Sequence, residues 1–276
     1  MADQVPHIRL NNGVSIPQLG FGVFQIPPER TAEAVRVALD AGYRHIDTAQ
    51  GYGNEEGVGQ AVRESGLRRG DVFVTTKLAN GRHGYQEAIR ALDESLERLG
   101  FDHVDLYLIH WPRPATDLYV ETWQAFEKIA SEGKARAIGV SNFQIPHLER
   151  LAAETGTVPA VNQIELHPYL TQKELRAYHQ RHHIATEAWS PLAKGGELLR
   201  DPEIIGLAEK YGKTPAQIVL RWHLQIGTIA IPKSVTPERV KENIDIFDFE
   251  LAEDDVTSIE EMDRGMRTGP DPDLFG

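Results

Sequence analysis

Several short apolar runs in this sequence end in a polar or ionisable residue: Asp47, Lys77, His110, Ser141 with Asn142, Gln163 with Glu165, Ser190 and Lys233. A serine closing a strand is equally well read as a turn former. Lys77 and His110 each finish a hydrophobic run, and a polar group buried there requires a partner. The loop Thr48-Ala49-Gln50-Gly51-Tyr52-Gly53-Asn54-Glu55 sets a tyrosine between two glycines. Read plainly, Tyr52 is a half-buried loop side chain; read functionally, the loop delivers a phenol to the same place. A phenol, an ammonium, a carboxylate and an imidazole with no thiol point to proton transfer. Tyrosine titrates near pH ~10, too high for an efficient acid at neutral pH. A buried Lys77 beside it is expected to lower that value, with Asp47 keeping the lysine charged. His110 would hold a substrate oxygen by a hydrogen bond. The set is an acid aimed at a carbonyl oxygen, and it lacks only a source of hydride.

The runs that must position these groups are Gly20–Phe24, Arg44–Thr48, Val72–Lys77, Val104–His110, Ala137–Ser141, Ala160–Glu165, Ala185–Ser190 and Thr228–Lys233. Helical patterns fall between them, over Thr31–Ala41, Gln86–Leu99, Tyr119–Ser131, Pro215–Gln225 and Pro237–Ile246. In the second of these, Ile89, Leu92, Leu96 and Leu99 recur at helical spacing, the apolar stripe of a helix lying on a core. Eight strand–helix units of about 34 residues each predict an α/β fold, a single (β/α)8 TIM barrel spanning residues 1–276. An open doubly wound sheet would carry G-x-G-x-x-G after its first strand. Here Gly20-Phe21-Gly22 lacks the third glycine. Asn12-Gly13 is a pair favoured in tight hairpin turns, which predicts an N-terminal β-hairpin closing the base of the barrel.

The chain has 276 residues, 29 Lys plus Arg against 41 Asp plus Glu, a net charge of −12, and no cysteine. Disulfides, thiolate nucleophiles and zinc–thiolate sites are thereby excluded. An acidic chain repels phosphate unless it gathers its cations locally, which sets nucleic acid aside as a partner. The start, MADQVPHIRL, lacks the apolar core of a signal peptide. No apolar stretch approaches the ~18 residues of a membrane span. The expectation is a soluble, cytoplasmic protein.

Five segments, in order, carry a resemblance: Gly42–Ala49 with Tyr52–Glu55, Val104–Pro112, Ile138–Phe143, Gln163–Pro168 and Ile231–Arg239. Over essentially its whole length the chain resembles the aldo-keto reductases, with the bacterial 2,5-diketo-D-gluconate reductase branch nearest. The resemblance implies an NADPH-dependent, metal-free reductase of aldehydes and ketones, acting as a monomer on a small-molecule carbonyl. It makes Tyr52 the general acid, Lys77 and Asp47 its tuning pair, and His110 the group that orients the carbonyl. It assigns Ser141, Asn142 and Gln163 to the nicotinamide carboxamide. Trp189 takes the ring-stacking place usually held by tyrosine. Lys233, Ser234 and Arg239 fall to the 2′-phosphate, and Glu242 with Asn243 to the adenine. Gly22, Ser190, Leu192 and Val235 complete the cofactor path, and Ser190–Gly196 would fold over the pyrophosphate. The substrates that branch implies, keto-sugar acids such as 2,5-diketo-D-gluconate, stand beside small dicarbonyls such as methylglyoxal.

Phe24, Tyr52, His110, Trp111 and Trp189 are expected to wall the substrate pocket. Ala79 stands where many relatives carry tryptophan, which predicts a wider mouth. The short tail after Met262 is expected to be an unstructured end, the alternative being that Leu274-Phe275 dips into the pocket. Rival readings remain. His45, Asp47 and His110 could hold a metal in a hydrolase barrel, though the Lys77 ammonium would repel the ion. Lys77 could form a Schiff base, though Asp47 favours its unreactive charged form. A third possibility is an NADPH-binding redox-sensing subunit without significant turnover.

Overall fold

The protein is described by a computed structural model over residues 5–275. Two short strands, β1 (His7–Arg9) and β2 (Ser15–Pro17), form an antiparallel hairpin in which Ile8 faces Ile16. Eight further strands follow: β3 (Phe21–Gly22), β4 (His45–Asp47), β5 (Phe73–Leu78), β6 (Val104–Ile109), β7 (Ala135–Ser141), β8 (Val161–Glu165), β9 (Ala185–Trp189) and β10 (Ile229–Ile231). They pair in parallel in strict chain order. The first and last close on each other, with Gly20 N donating to Ala230 O at 2.9 Å and Gly22 N to Pro232 O at 3.0 Å. Closure pairs the two outer strands of the eight-stranded sheet with each other. The result is the (β/α)8 barrel that the alternating pattern predicts, each strand within a few residues of its expected run.

Helices α1 (Pro28–Ala41), α2 (Glu55–Glu64), α3 (Tyr85–Leu99), α4 (Tyr119–Ser131), α5 (Ile145–Glu154), α6 (Lys173–Arg181), α7 (Pro202–Tyr211), α8 (Pro215–Gln225), α9 (Pro237–Ile244) and α10 (Glu253–Glu260) cover the outside. No helix among the described residues is long and apolar enough to cross a membrane.

Side chains alternate between the two faces of a strand, and the core divides accordingly. Val74, Tyr107, Ile109, Val140, Ile164 and Ala188 point outward into the larger apolar cluster under the helices. Phe73, Leu106, Leu108, Ala137, Val161, Ile229 and Ile231 fill the barrel interior, where Leu10 and Ile16 of the hairpin join them. The hairpin therefore plugs the base, as expected. Its reversal is wider than a two-residue Asn-Gly turn: Leu10 N donates to Val14 O, and Gly13 takes a left-handed φ of +85°. Barrel closure also explains Gly20. A Cβ there would lie 2.6 Å from Ile231 and 2.7 Å from the His45 ring.

Counting two residues at a time from the inward apolar layer towards the carboxyl ends reaches Lys77, His110, Ser141, Gln163, Glu187 and Lys233. The parity that packs the base of the barrel thus aims polar residues into its mouth.

Candidate active site

Asp47 at the end of β4 and Lys77 on β5 form a buried ion pair, with Nζ 2.6 Å from Oδ1 and side-chain exposures of 0% for the lysine and 6% for the aspartate. Lys77 Nζ also donates to Thr48 O at 2.9 Å. Burial works against the ammonium, but the Asp47 charge and hydrogen bond outweigh it, and the Lys77 pKa lies above its ordinary value.

The loop after β4 carries Tyr52 on a short turn of helix, Gln50–Tyr52. Buried polar groups lock it in place. Asn54 donates to Val23 O at 2.9 Å and Ile26 O at 3.2 Å, and accepts from Thr48 Oγ1 at 2.8 Å. Next to it, Glu55 accepts from Thr76 Oγ1 at 2.5 Å and pairs with Arg98 at 2.7 Å. Tyr52 is so held with its ring centre 5.2 Å from Lys77 Nζ and 5.7 Å from the His110 ring centre. The expected fall in the phenol's pKa is not what this geometry gives. Burial pushes it up, and Lys77 opposes that rise without reversing it. Desolvation penalises a phenolate more than one neighbouring cation, itself shared with Asp47, can repay.

His110 follows β6. Burial and the Lys77 charge push its pKa down to about 3, so its imidazole is neutral at physiological pH. Aromatic rings surround the phenol and imidazole. Phe24 lies 5.0 Å from Tyr52, and Trp111 lies 6.4 Å from both His110 and Trp189, centre to centre. The tail is not an unstructured end. Its Phe275 ring sits 4.5 Å from Trp111, while Leu274 is 86% exposed. Glu165 ties the tail down, accepting from Thr268 N at 2.5 Å and Oγ1 at 2.6 Å. At Gly269 the tail backbone comes so close to Trp189 that a Cβ would lie 2.4 Å from the indole. Ala79 donates its backbone N–H to Gln50 Oε1 at 3.2 Å, tying the loop that bears Tyr52 to the end of β5.

Across the mouth, Gln163 Nε2 donates to Asp47 Oδ2 at 2.8 Å and to Glu187 Oε1. Ser141 Oγ donates to Gln163 O at 2.8 Å. Asn142 takes a left-handed φ of +64°, donates to His110 O at 3.0 Å, and accepts from Trp189 Nε1 at 2.7 Å. Ser190 is also left-handed, and Leu192 beyond it packs against the core. Glu187 is the buried residue that the sequence reading missed. Nothing in the run Ala185–Ser190 marks its parity as the inward one; the closed barrel does. His45 bonds elsewhere: Nε2 lies 3.2 Å from Thr75 Oγ1, and burial pushes its pKa down to about 4.

A separate cluster lies between β10 and α9, beside Gly22. Lys233 and Arg239 are exposed, and neither takes part in an ion pair among the described residues. Ser234 and Val235 line a groove shared with Arg30, Val37 and Val240. Glu242 accepts from Thr214 Oγ1 at 2.8 Å, and Asn243 is buried.

The sequence pattern of the Aldo/keto reductase family matches residues 18–264. An aldo-keto reductase of Mycolicibacterium smegmatis is 56% identical over 270 residues, 98% of each chain. The methylglyoxal reductase DkgA of Escherichia coli K12 is 52% identical over 270 residues, again 98% of each. The crystal structure of a Gox0644 variant in complex with NADPH superposes with a TM-score of 0.95 at 48% identity, covering 99% of both chains. On barrel, motif order and whole-length similarity together, this chain belongs to the aldo/keto reductase family.

Proposed function

We propose that this chain reduces aldehydes and ketones to alcohols with NADPH, using Tyr52 as the proton donor. The observation that carries the reading is the meeting of Tyr52, Lys77, Asp47 and His110 at one mouth of the barrel. When bound, NADPH supplies the hydride. Tyr52 gives its proton to the substrate oxygen, and its raised pKa keeps that proton in place at neutral pH. Lys77 stabilises the phenolate left behind, with Asp47 fixing its position. His110, neutral, directs the carbonyl oxygen by a hydrogen bond. Both groups act where negative charge develops on oxygen, so they stabilise the transition state rather than the bound substrate.

The residues present fit the cofactor. Two exposed cations and a hydroxyl at Lys233, Arg239 and Ser234 suit a phosphate monoester at the start of a helix. In a protein of net charge −12, such a cluster makes the attraction for an anion local. Trp189 offers a flat apolar face for the nicotinamide, and Gln163 an acceptor for its carboxamide. The aromatic wall and the Phe275 contact favour compact substrates, small dicarbonyls such as methylglyoxal, with keto-sugar acids as the competing class. The chain is proposed to act as one domain, as a cytoplasmic monomer.

A panel of carbonyl compounds followed by NADPH absorbance, repeated with NADH, tests this. The expected outcome is NADPH consumption with several aldehydes and weaker use of NADH. Tight NADPH binding with no carbonyl consumed would instead favour a redox-sensing role.

A further inference from the structure

Glu187 is a carboxyl with no exposure to solvent, set inside the barrel below its mouth. Burial and the nearby Asp47 charge push its pKa up to about 8, against the weaker pull of Gln163 and Lys77. Its Oε2 has no hydrogen-bond partner. Packing alone does not call for such a group, because Ala185 and Ile229 beside it on the interior are apolar. A buried, half-satisfied carboxyl is costly.

Its one hydrogen bond explains what it does. Gln163 could present either end of its carboxamide to the mouth. Asp47, the ion-pair partner of Lys77, accepts through its carboxylate, so it takes the amide nitrogen. Glu187 Oε1 accepts from that same nitrogen. Both amide hydrogens are then committed, and Oε1 is the atom left to accept from a ligand.

We propose that Glu187 is a positioning residue that, through Gln163, fixes an acceptor towards the amide group of the nicotinamide. This rests on the cofactor reading above. Because Glu187 and Asp47 hold one nitrogen between them, the amide cannot turn over without breaking two hydrogen bonds at once. A protonated Glu187 does this without placing a second negative charge beside Asp47.

The test compares binding of NADP+ with that of its 3-acetylpyridine analogue, in which a methyl replaces the carboxamide NH2. Affinities are measured by calorimetry on the full chain and on Glu187→Gln and Glu187→Leu. The parent is expected to favour NADP+ by roughly 5–10-fold, the worth of one hydrogen bond. Glu187→Gln, whose carbonyl oxygen can still accept from Gln163, should keep that ratio within about 2-fold. Glu187→Leu should lower it by at least about 3-fold, since Asp47 alone then holds the Gln163 amide. A purely structural loss would weaken both ligands alike and leave the ratio intact. If the leucine variant does not fold, Glu187→Thr, too short to reach Gln163, replaces it with the same expectation. A parent without preference, a leucine or threonine variant that keeps it, or a glutamine variant that loses it overturns the proposal. Failure of the parent to bind either dinucleotide would overturn the cofactor reading itself.

Discussion

The Lys77 ammonium lies 2.6 Å from Asp47 Oδ1, with both side chains almost wholly withdrawn from solvent. Breaking such a pair from one side leaves a buried charge without compensation, which costs about 3–5 kcal/mol. Lys77→Met is therefore expected to lower unfolding stability by that order in urea titrations, and Asp47→Asn combined with it should recover part of the loss. A single variant that unfolds with the parent would contradict this burial.

Acid should weaken the fold through its interior histidines. His45, His179 and His223 have no solvent exposure, and burial pushes their pKa values down to about 4, 3 and 3. In the unfolded chain each binds a proton near pH 6.5. Their stabilising contribution is complete above that pH and is lost as pH falls towards those depressed values. Glu187, raised to about 8, acts oppositely: the folded state holds its proton more firmly, so acid favours the fold there. Between pH ~6.5 and ~4.5 each such histidine costs up to about 1.4 kcal/mol per pH unit, His110 adding to these three, and together they outweigh the opposing contribution of Glu187. Urea midpoints at neutral pH and near pH ~5 measure it; equal midpoints would contradict the buried-neutral assignment.

Asn54→Ala removes the three hydrogen bonds that hold the Tyr52 loop. Leaving Thr48 and two backbone carbonyls without that partner should cost about 2–3 kcal/mol. It should also lower kcat more than it raises KM, because the phenol loses its fixed place. Unchanged kcat would show that the loop holds itself.

Arg239→Ala should weaken NADPH binding by roughly 10–100-fold, the worth of a charge-assisted hydrogen bond. NADH, without the 2′-phosphate, should bind the variant and the parent alike. Fluorescence titration with both dinucleotides checks this, and an equal loss for the two would place Arg239 elsewhere.

The barrel was legible because its strands and helices are short and regular: Val104–His110 reads as a strand in any register, and Gln86–Leu99 carries an unmistakable stripe. Which residues gather at the barrel mouth was legible where an ionisable residue ends an apolar run, as at Lys77 and His110. What escaped depended on packing. Glu187 lies inside a run whose alternation looked ordinary, and only the closed barrel shows which parity faces inward. The rise in the Tyr52 pKa depends on how much water burial removes, which residue types do not specify. Phe275 reaches Trp111 on a tail that Glu165, distant in sequence, fastens at Thr268, a contact that residue types alone do not announce.

Tyr52→Phe tests the central claim most directly, since it deletes the proton and little else. With methylglyoxal or another accepted carbonyl, turnover should fall by about 10²–10⁴-fold while the NADPH dissociation constant stays within about 2-fold. Turnover retained at the parent's level would place the proton donor on another residue.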